Sequence, residues 1–341
     1  MSTDVTALIR QVINGQELSQ EQAQELFAAL SNGELSEIQT AALLAGLHSR
    51  GESAEELAGA AAAFRAVATE FPTQQRGLVD VVGTGGDGAL TINISTAAGL
   101  VAASLGVPVA KHGNRSVSSK SGAADVLEAL GLNLNATPQE ASQSLAEKGF
   151  TFLFAQAYHP AMRFVAPVRK ALAAPTIFNL VGPLINPAPL DYQVMGVANP
   201  DYLDLVAAAM VRLGRQRALV VHGDGLDELA VHGPTHVREA TPDGVKSYRV
   251  TPEELGIQTW TVADLRGGDG AENAELLKEV LGGKGQPAHR DAIAVNAGAV
   301  LFTVGKAETL AEGTQMALEQ LATGKPLSYL EDLVSGPQGA K

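Results

Sequence analysis

Up to about residue 70 the apolar positions keep a helical period and nothing else. Val5, Leu8, Ile9, Val12 and Ile13 recur at helical spacing. Three capping boxes follow, Ser19 with Gln22, Ser36 with Gln39 and Ser53 with Glu56, each opening a helix with an apolar stripe such as Leu57, Ala61, Phe64 and Val67. The segment Phe71-Pro72-Thr73-Gln74-Gln75 breaks the period, and a strand is predicted at Leu78–Val82.

From there strands and helices alternate, which predicts a parallel sheet with right-handed crossovers. The strands are Leu78–Val82, Val107–Ala110, Phe150–Ala155, Tyr192–Val197 and Ala218–His222. Between them lie a helix with Ile94, Ala97, Ala98, Val101 and Leu105 on one face, a short one at Ala124–Leu130, one capped by Thr137 and ended by Gly149, and one running from Asn199-Pro200 to Gly214. Tyr158–Leu172 and Thr176–Ile185 read as two helices with no strand between them, an interruption expected to return to the helical part. Residues 235–250 read as a hairpin turning at Asp243-Gly244. Gly267–Gly270 and Gly282–Gly285 are loops, and Ala288–Val304 and Leu310–Leu321 are closing helices. The fold class is therefore α/β, a mostly parallel sheet flanked by helices, with a smaller all-helical domain. The expected division is 1–72 with 159–186 returning to it, against 77–157 and 190–341.

Composition adds bounds. The 341 residues are 45% hydrophobic, ample for a core, and the net charge of −13 opposes non-specific binding to nucleic acid. Against that acidic background Lys111, Arg115 and Lys120 form a local basic exception. The chain has no cysteine, hence no disulfide or thiolate chemistry. Its first residues lack the features of a signal peptide, and no apolar run is long enough to span a membrane, so a cytoplasmic location is expected.

The chemistry concentrates after the first strand. Gly83-Thr84-Gly85-Gly86-Asp87-Gly88 is a glycine-rich turn, followed by Thr91, Asn93, Ser95 and Thr96 and, after the next strand, by Lys111-His112-Gly113-Asn114-Arg115. Glycines let backbone N–H groups approach a phosphate, and the following helix directs its positive end to the same place. The turn fits G-x-G-x-x-G, but a dinucleotide site needs an acidic residue at the end of the next strand, and here that strand ends in Lys111, His112 and Arg115. No P-loop motif occurs. Another phosphate fits better.

Two more elements carry candidate chemistry. His222-Gly223-Asp224-Gly225-Leu226-Asp227-Glu228 lies at the carboxyl end of a predicted strand, where Asp227 and Glu228 would share a crevice with the glycine turn and could hold Mg²⁺ against a pyrophosphate. In the second, Arg169 follows Met162 by seven residues, which on one helix would place both on nearly the same face, with Arg169 suited to a carboxylate. His222, His232 and His236 are too loosely spaced to argue for zinc.

GTGGDG, NIST at 93–96, KHGNRSVSSKSG, DVLEALG, YHPAMR, TIFNLVGPLINP and GLDE occur in an order that resembles the anthranilate phosphoribosyltransferases of tryptophan biosynthesis, over about residues 5–330. The resemblance implies a helical domain joined to an α/β domain and a homodimer through the helical domain. It also implies transfer of ribose 5-phosphate from phosphoribosyl pyrophosphate to the anthranilate amine with Mg²⁺. By the same resemblance Gly83, Gly86, Asp87, Thr91, Asn93, Ile94, Ser95, Thr96 and the run Lys111, His112, Gly113, Asn114, Arg115, Ser116, Val117, Ser118 and Ser119 bind phosphoribosyl pyrophosphate. Gly83, Asn114 and Arg169 contact anthranilate, with His112, His159 and Pro183 lining its approach. Ser95, Asp227 and Glu228 are the implied metal ligands.

Four positions depart from the family pattern: Ala123 for a usual Ser, Ala173 for a Gly, Pro175 for an Arg and Ile185 for a Thr. The last three touch the implied anthranilate channel. The chemistry needs no covalent nucleophile, because an aryl amine is already nucleophilic and the demand falls on the departing pyrophosphate. Two rivals share the architecture, a pyrimidine nucleoside phosphorylase and a non-catalytic nucleic-acid-binding relative. The first lacks HPAM and GPL-NP, and the second would be basic and without the carboxylate pair.

Overall fold

The structure, a computed structural model, describes residues 4–116 and 121–339. Helices α1 (Val5–Ile13), α2 (Gln20–Ser31), α3 (Glu37–Arg50) and α4 (Ala54–Ala66) form the N-terminal bundle. All three predicted capping boxes are made, each serine accepting from its N3 amide and each N3 side chain accepting from the serine N–H. Glu56 does more than cap. It is fully buried, pairs with Arg50 and also accepts from the N–H of Leu18 at 2.9 Å, so one carboxylate ties α4 to the end of α3 and to the start of α2.

The α/β part begins with β1 (Leu78–Gly83), α5 (Ile94–Ser104), β2 (Val109–Gly113), α6 (Ala123–Ala129), α7 (Pro138–Lys148) and β3 (Phe150–Phe154). A helical excursion follows: α8 (Ala155–Tyr158), a 3-10 turn at Pro160–Phe164, α9 (Ala166–Leu172) and α10 (Phe178–Leu184). The chain then resumes with β4 (Leu190–Gly196), α11 (Tyr202–Arg212), β5 (Arg217–Gly223) and the hairpin β6 (Thr235–Thr241) and β7 (Gly244–Val250). It closes with α12 (Gly270–Leu281), α13 (Pro287–Thr303), α14 (Leu310–Ala322) and α15 (Lys325–Val334). The sheet has order β3-β2-β1-β4-β5-β6-β7, parallel from β3 through β5 and antiparallel at β6 and β7.

Residues alternate between two cores along the inner strands. Leu219 and Val221 pack with α5 and α13, while Ala218 and Val220 face α11 and the helical bundle. Burial on both faces is what a parallel sheet requires. The bundle core also takes in Ala161, Val165, Val168, Phe178, Val181 and Leu184, so the excursion packs on the N-terminal helices, with the Phe178 ring edge-on to Phe64 at 5.0 Å and to Phe27 at 6.0 Å.

Two expectations need correction. The second strand is Val109–Gly113, not Val107–Ala110, so Lys111 and His112 lie inside it and both are buried. Tyr158–Leu172 is not one helix. Pro160 and Pro167 open separate pieces, so Met162 sits in the 3-10 turn and Arg169 in α9, and the shared helical face inferred from their spacing does not exist. The helices α12 and α15 had no counterpart in the sequence reading.

Candidate active site

From β1 the chain runs to β2 and β3 on one side, and β4 and β5 lie on the other, so β1 and β4 flank the point where the strand order reverses. Ligands of open α/β sheets bind outside the carboxyl ends of such strands. Here those ends are Gly83 and Gly196, and Asp227 lies against both. A Cβ on Gly83 would stand 2.1 Å from Asp227 Oδ2, and one on Gly196 would stand 1.5 Å from the Asp227 carbonyl oxygen. These glycines are needed for a carboxylate to sit on the strand ends. The motif singled out Gly83 for its approach to phosphate; Gly196 had no sequence signal beyond closing a strand.

The glycine turn is fixed from the same side. Gly85 N–H donates to Asp227 Oδ2 at 2.6 Å, and Gly85, Gly86 and Gly88 all have positive φ. Thr84 N–H bonds the Gly196 carbonyl at 3.0 Å, and its hydroxyl accepts from Ala198 N–H at 3.1 Å. Asp87 Oδ1 accepts from Ala89 N–H at 3.1 Å.

The turn before Asp227 is held as firmly. Gly223 and Leu226 exchange backbone hydrogen bonds, with Asp224 and Gly225 at positive φ. Gly225 N–H donates to His222 Nε2 at 3.1 Å, which assigns the ring proton to Nδ1, 2.8 Å from the Val197 carbonyl. His222, weighed in the sequence only for zinc, thus pins the turn that presents the carboxylates.

Charge is crowded here. Burial, then the charge of Asp87, pushes Asp227 up to about 7, and burial with Asp227 beside it holds Glu228 well above the usual carboxylate range. The Ser95 backbone, in the first turn of α5, acts in the opposite direction and lowers Glu228. Lys111 reaches the cluster from below. Its ammonium donates to the Val81 carbonyl at 2.6 Å and to Ser95 Oγ at 3.4 Å, and burial lowers its pKa against the opposing pull of Asp80 and Glu228. The oxygens of Ser95, Asp227 and Glu228 suit a hard cation, and the mutual repulsion of the carboxylates is what such a cation would relieve. Among the described residues no three His, Cys, Asp or Glu side chains form a metal cage on their own.

Beneath the crevice Asp80 is fully buried. It accepts from the His112 N–H at 3.2 Å and from Asn186 Nδ2 at 2.9 Å, and burial raises it to about 6 against the pull of Lys111. Asn186 Nδ2 also donates to the Ala110 carbonyl, so a residue of the GPL-NP run is stitched to β2.

The remaining phosphate-site candidates lie before and within the first turn of α5 and at the end of β2. Thr91 bridges Arg266. Asn93, the N-cap of α5, exchanges hydrogen bonds with Ser121 and accepts from Asn273 Nδ2 at 2.9 Å. Asn273, buried on α12, had been overlooked because nothing predicted its helix. Ile94 and Thr96 are buried in the first turn of α5, and the Thr96 hydroxyl has no protein partner. Gly113 packs on Phe152, where a Cβ would come within 2.9 Å. Asn114 Oδ1 accepts from Arg115 N–H and from Gln156. Ser116 N–H donates to Asp125. Val117, Ser118 and Ser119 lie outside the described residues, as does Lys120.

Beside the end of β2, His112 and His159 stand edge to face with their Nε2 atoms 3.1 Å apart, both buried and both with pKa values lowered by burial. Pro183, inside α10, accepts from Gln193 through its carbonyl at 2.8 Å. Arg169 is half-buried on α9, donating to Asn179 Oδ1 at 3.3 Å with its guanidinium 5.9 Å from the Phe178 ring centre. Nearby, Ala173 caps α9 in the left-handed conformation, φ 48° and ψ 31°. That explains a glycine preference there.

A helical bundle joined to a doubly flanked sheet, with a glycine turn facing acidic side chains at the strand reversal, defines a class. Residues 75–327 match the a/b domain of a glycosyl transferase family, and residues 6–68 match its helical bundle domain. The chain belongs to the anthranilate phosphoribosyltransferase family. It is 52% identical over 310 residues to the enzyme of that name from Corynebacterium diphtheriae, covering 91% of each chain. The anthranilate phosphoribosyltransferase of Thermus thermophilus superposes with TM-score 0.92 at 46% identity, covering 96% of this chain and 98% of that one. That of Saccharomyces cerevisiae in complex with PRPP and Mg superposes with TM-score 0.87 at 26% identity, covering 97% and 98%.

Proposed function

We propose that the strand-end crevice transfers the phosphoribosyl group of phosphoribosyl pyrophosphate to the anthranilate amine, giving N-(5-phosphoribosyl)anthranilate and pyrophosphate in tryptophan biosynthesis. The observation that carries this assignment of the site is the seating of Asp227 on Gly83, Gly85 and Gly196, which puts an acidic pair beside a phosphate-type turn. Phosphoribosyl pyrophosphate is assigned to Gly83, Gly86, Asp87, Thr91, Asn93, Ile94, Ser95 and Thr96 and to the run Lys111–Ser119. The glycine turn and the N-terminal end of α5 are assigned to its phosphates, although the Thr84, Gly85 and Ala89 amides are already bonded within the protein. Anthranilate is assigned to the side bounded by Asn114, His112, His159, Pro183 and Arg169, with Arg169 orienting the carboxylate so that the amine faces ribose C1.

Ser95, Asp227 and Glu228 would hold Mg²⁺, whose chemistry is to offset charge on the departing pyrophosphate. The C1–O bond to pyrophosphate breaks with its electron pair leaving on the pyrophosphate oxygen, the N–C1 bond forms, and the amine's proton passes to the departing pyrophosphate or to water. No side chain becomes covalently attached. Lys111 holds positive charge beneath the site, while the buried imidazoles of His112 and His159, kept neutral, present an uncharged wall to an aromatic ring.

The same reading divides the chain into a helical domain, 1–72 with 159–186, and a phosphoribosyl-pyrophosphate-binding domain, 77–157 with 190–341, and pairs two copies through the helical domain. No described helix is long and apolar enough to cross a membrane. The cytoplasm, where amino-acid biosynthesis draws on phosphoribosyl pyrophosphate, is the proposed location.

The test is one assay. Anthranilate fluorescence is expected to fall on adding phosphoribosyl pyrophosphate and Mg²⁺, with pyrophosphate released in equal amount. Loss of fluorescence without pyrophosphate, or no loss, would overturn the reading.

A further inference from the structure

Arg115 is not waiting with an open fork. Its Nη1 and Nη2 donate to the two carboxylate oxygens of Glu128 at 2.9 and 3.0 Å, and Nη1 also donates to Asp125 at 2.9 Å. The guanidinium carbon lies 5.9 Å from the Phe154 ring centre, which fixes the remaining direction of the side chain. Asp125 Oδ2 meanwhile accepts from the N–H groups of Ser116 and Gly122. Both acids belong to α6, in the DVLEALG run, to which the proposed function gives no task.

A bidentate arginine–carboxylate pair uses the same fork that a phosphate would take. The three side chains together carry a net single negative charge, and three of the five guanidinium N–H groups already donate to carboxylates, so an incoming anion meets a guanidinium whose end-on fork is taken and whose charge is offset. Asp125 also organises backbone. Among the described residues Glu128 accepts hydrogen bonds from Arg115 alone, which ties its carboxylate to that interaction.

We propose that Glu128 is a carboxylate competitor for Arg115, holding the guanidinium in the anion-free enzyme and setting the affinity for the phosphate groups of phosphoribosyl pyrophosphate and of the pyrophosphate product. The proposal rests on the reading that Arg115 binds these phosphates. Binding exchanges one bidentate pair for another, which weakens retention of both substrate and product. The geometry gives Glu128 a role opposite in sign to that of a supporting residue: removing its charge tightens binding.

The experiment is a double-mutant cycle on the full-length enzyme with inorganic pyrophosphate as the calorimetric probe and the Michaelis constant for phosphoribosyl pyrophosphate as the kinetic readout. Glu128→Gln is expected to tighten both by about two- to fivefold, the range of an exposed ion pair, with the anthranilate Michaelis constant unchanged. Arg115→Ala is expected to weaken both, and Glu128→Gln in that background to have no further effect. If Arg115→Ala leaves both constants unchanged, the assignment of Arg115 to the phosphates fails. If Arg115→Ala weakens binding but Glu128→Gln does not tighten it, the competitor role fails while the site assignment stands. Equal tightening with and without Arg115 would reduce Glu128 to a general contribution to the negative field and also overturn the proposal.

Discussion

In the helical bundle the buried charge of Glu56 is met on every side, by Arg50, by the Ser53 N–H and by the Leu18 N–H. At the strand ends Asp87, Asp227 and Glu228 crowd together, with Lys111 near Glu228 but bonded to the Val81 carbonyl and Ser95. Both regions bury carboxylates. In the first, local partners are complete and the charge knits helices together. In the second, repulsion is left for something from outside the chain to relieve, and burial first, with that repulsion added, raises the pKa values of Asp227 and Glu228. A site built to take a cation and a polyanion is expected to cost stability in their absence.

That contrast can be broken at either end. Glu56→Ala strands Arg50 and the Leu18 amide in the bundle and is expected to cost about 3 kcal/mol in denaturant unfolding, the usual penalty for opening a buried pair. A loss near zero would mean that the bundle does not depend on its matched charge.

Asp80 tests the opposite regime by pH. Its folded pKa of about 6 is above the ordinary value of 3.8, so the native state keeps a proton that the unfolded chain gives up. Its contribution therefore favours the native state below pH 4, is lost as pH rises through 6, and is flat beyond. Wild-type stability relative to Asp80→Asn is expected to fall by about 2 kcal/mol between pH 4 and 7. A relative stability that rises over that window would mean that the carboxylate is stabilised as an anion.

Arg169→Ala sharpens the picture on the substrate side. The anthranilate Michaelis constant is expected to rise about ten- to a hundredfold, on the order of 1.4–2.8 kcal/mol, with that for phosphoribosyl pyrophosphate little changed. Steady-state kinetics with each substrate varied would decide it; an unchanged anthranilate constant returns Arg169 to a packing role beside Phe178.

The smallest effect is expected at Ala173. A left-handed cap strains any residue with a Cβ, so Ala173→Gly is expected to stabilise by about 0.5–1 kcal/mol after the entropy that glycine adds to the unfolded chain. Thermal melts of the two proteins would show it as a rise of a few degrees or its absence.

The sequence was readable where structure is local. The capping boxes, the alternation of strands and helices and the hairpin within residues 235–250 all depend on near neighbours, and all are present, the hairpin turning at Pro242-Asp243, one residue before the expected position. The glycine turn and the Asp227-Glu228 pair were legible as chemistry because residue type limits what they can bind. What escaped was decided at long range. Gly196 matters because Asp227, distant in sequence, rests on it, and Asn273 because its amide reaches Asn93. The strand at β2 runs on through Lys111 and His112 because Asp80 and the Val81 carbonyl receive their polar groups within the sheet, a pairing that polarity alone argued against. Met162 and Arg169 had a helical spacing, but Pro167 starts a new helix between them.

The strand-end carboxylates serve a ligand at the expense of the fold. The direct measurement pairs thermal unfolding in metal-free buffer with turnover for the double variant Asp227→Asn, Glu228→Gln. The account predicts a melting temperature equal to or above that of the wild type, no further rise on adding Mg²⁺ with pyrophosphate, and turnover reduced by roughly a hundredfold or more. A variant that melts well below the wild type, or that keeps near-normal turnover at limiting Mg²⁺, would contradict it.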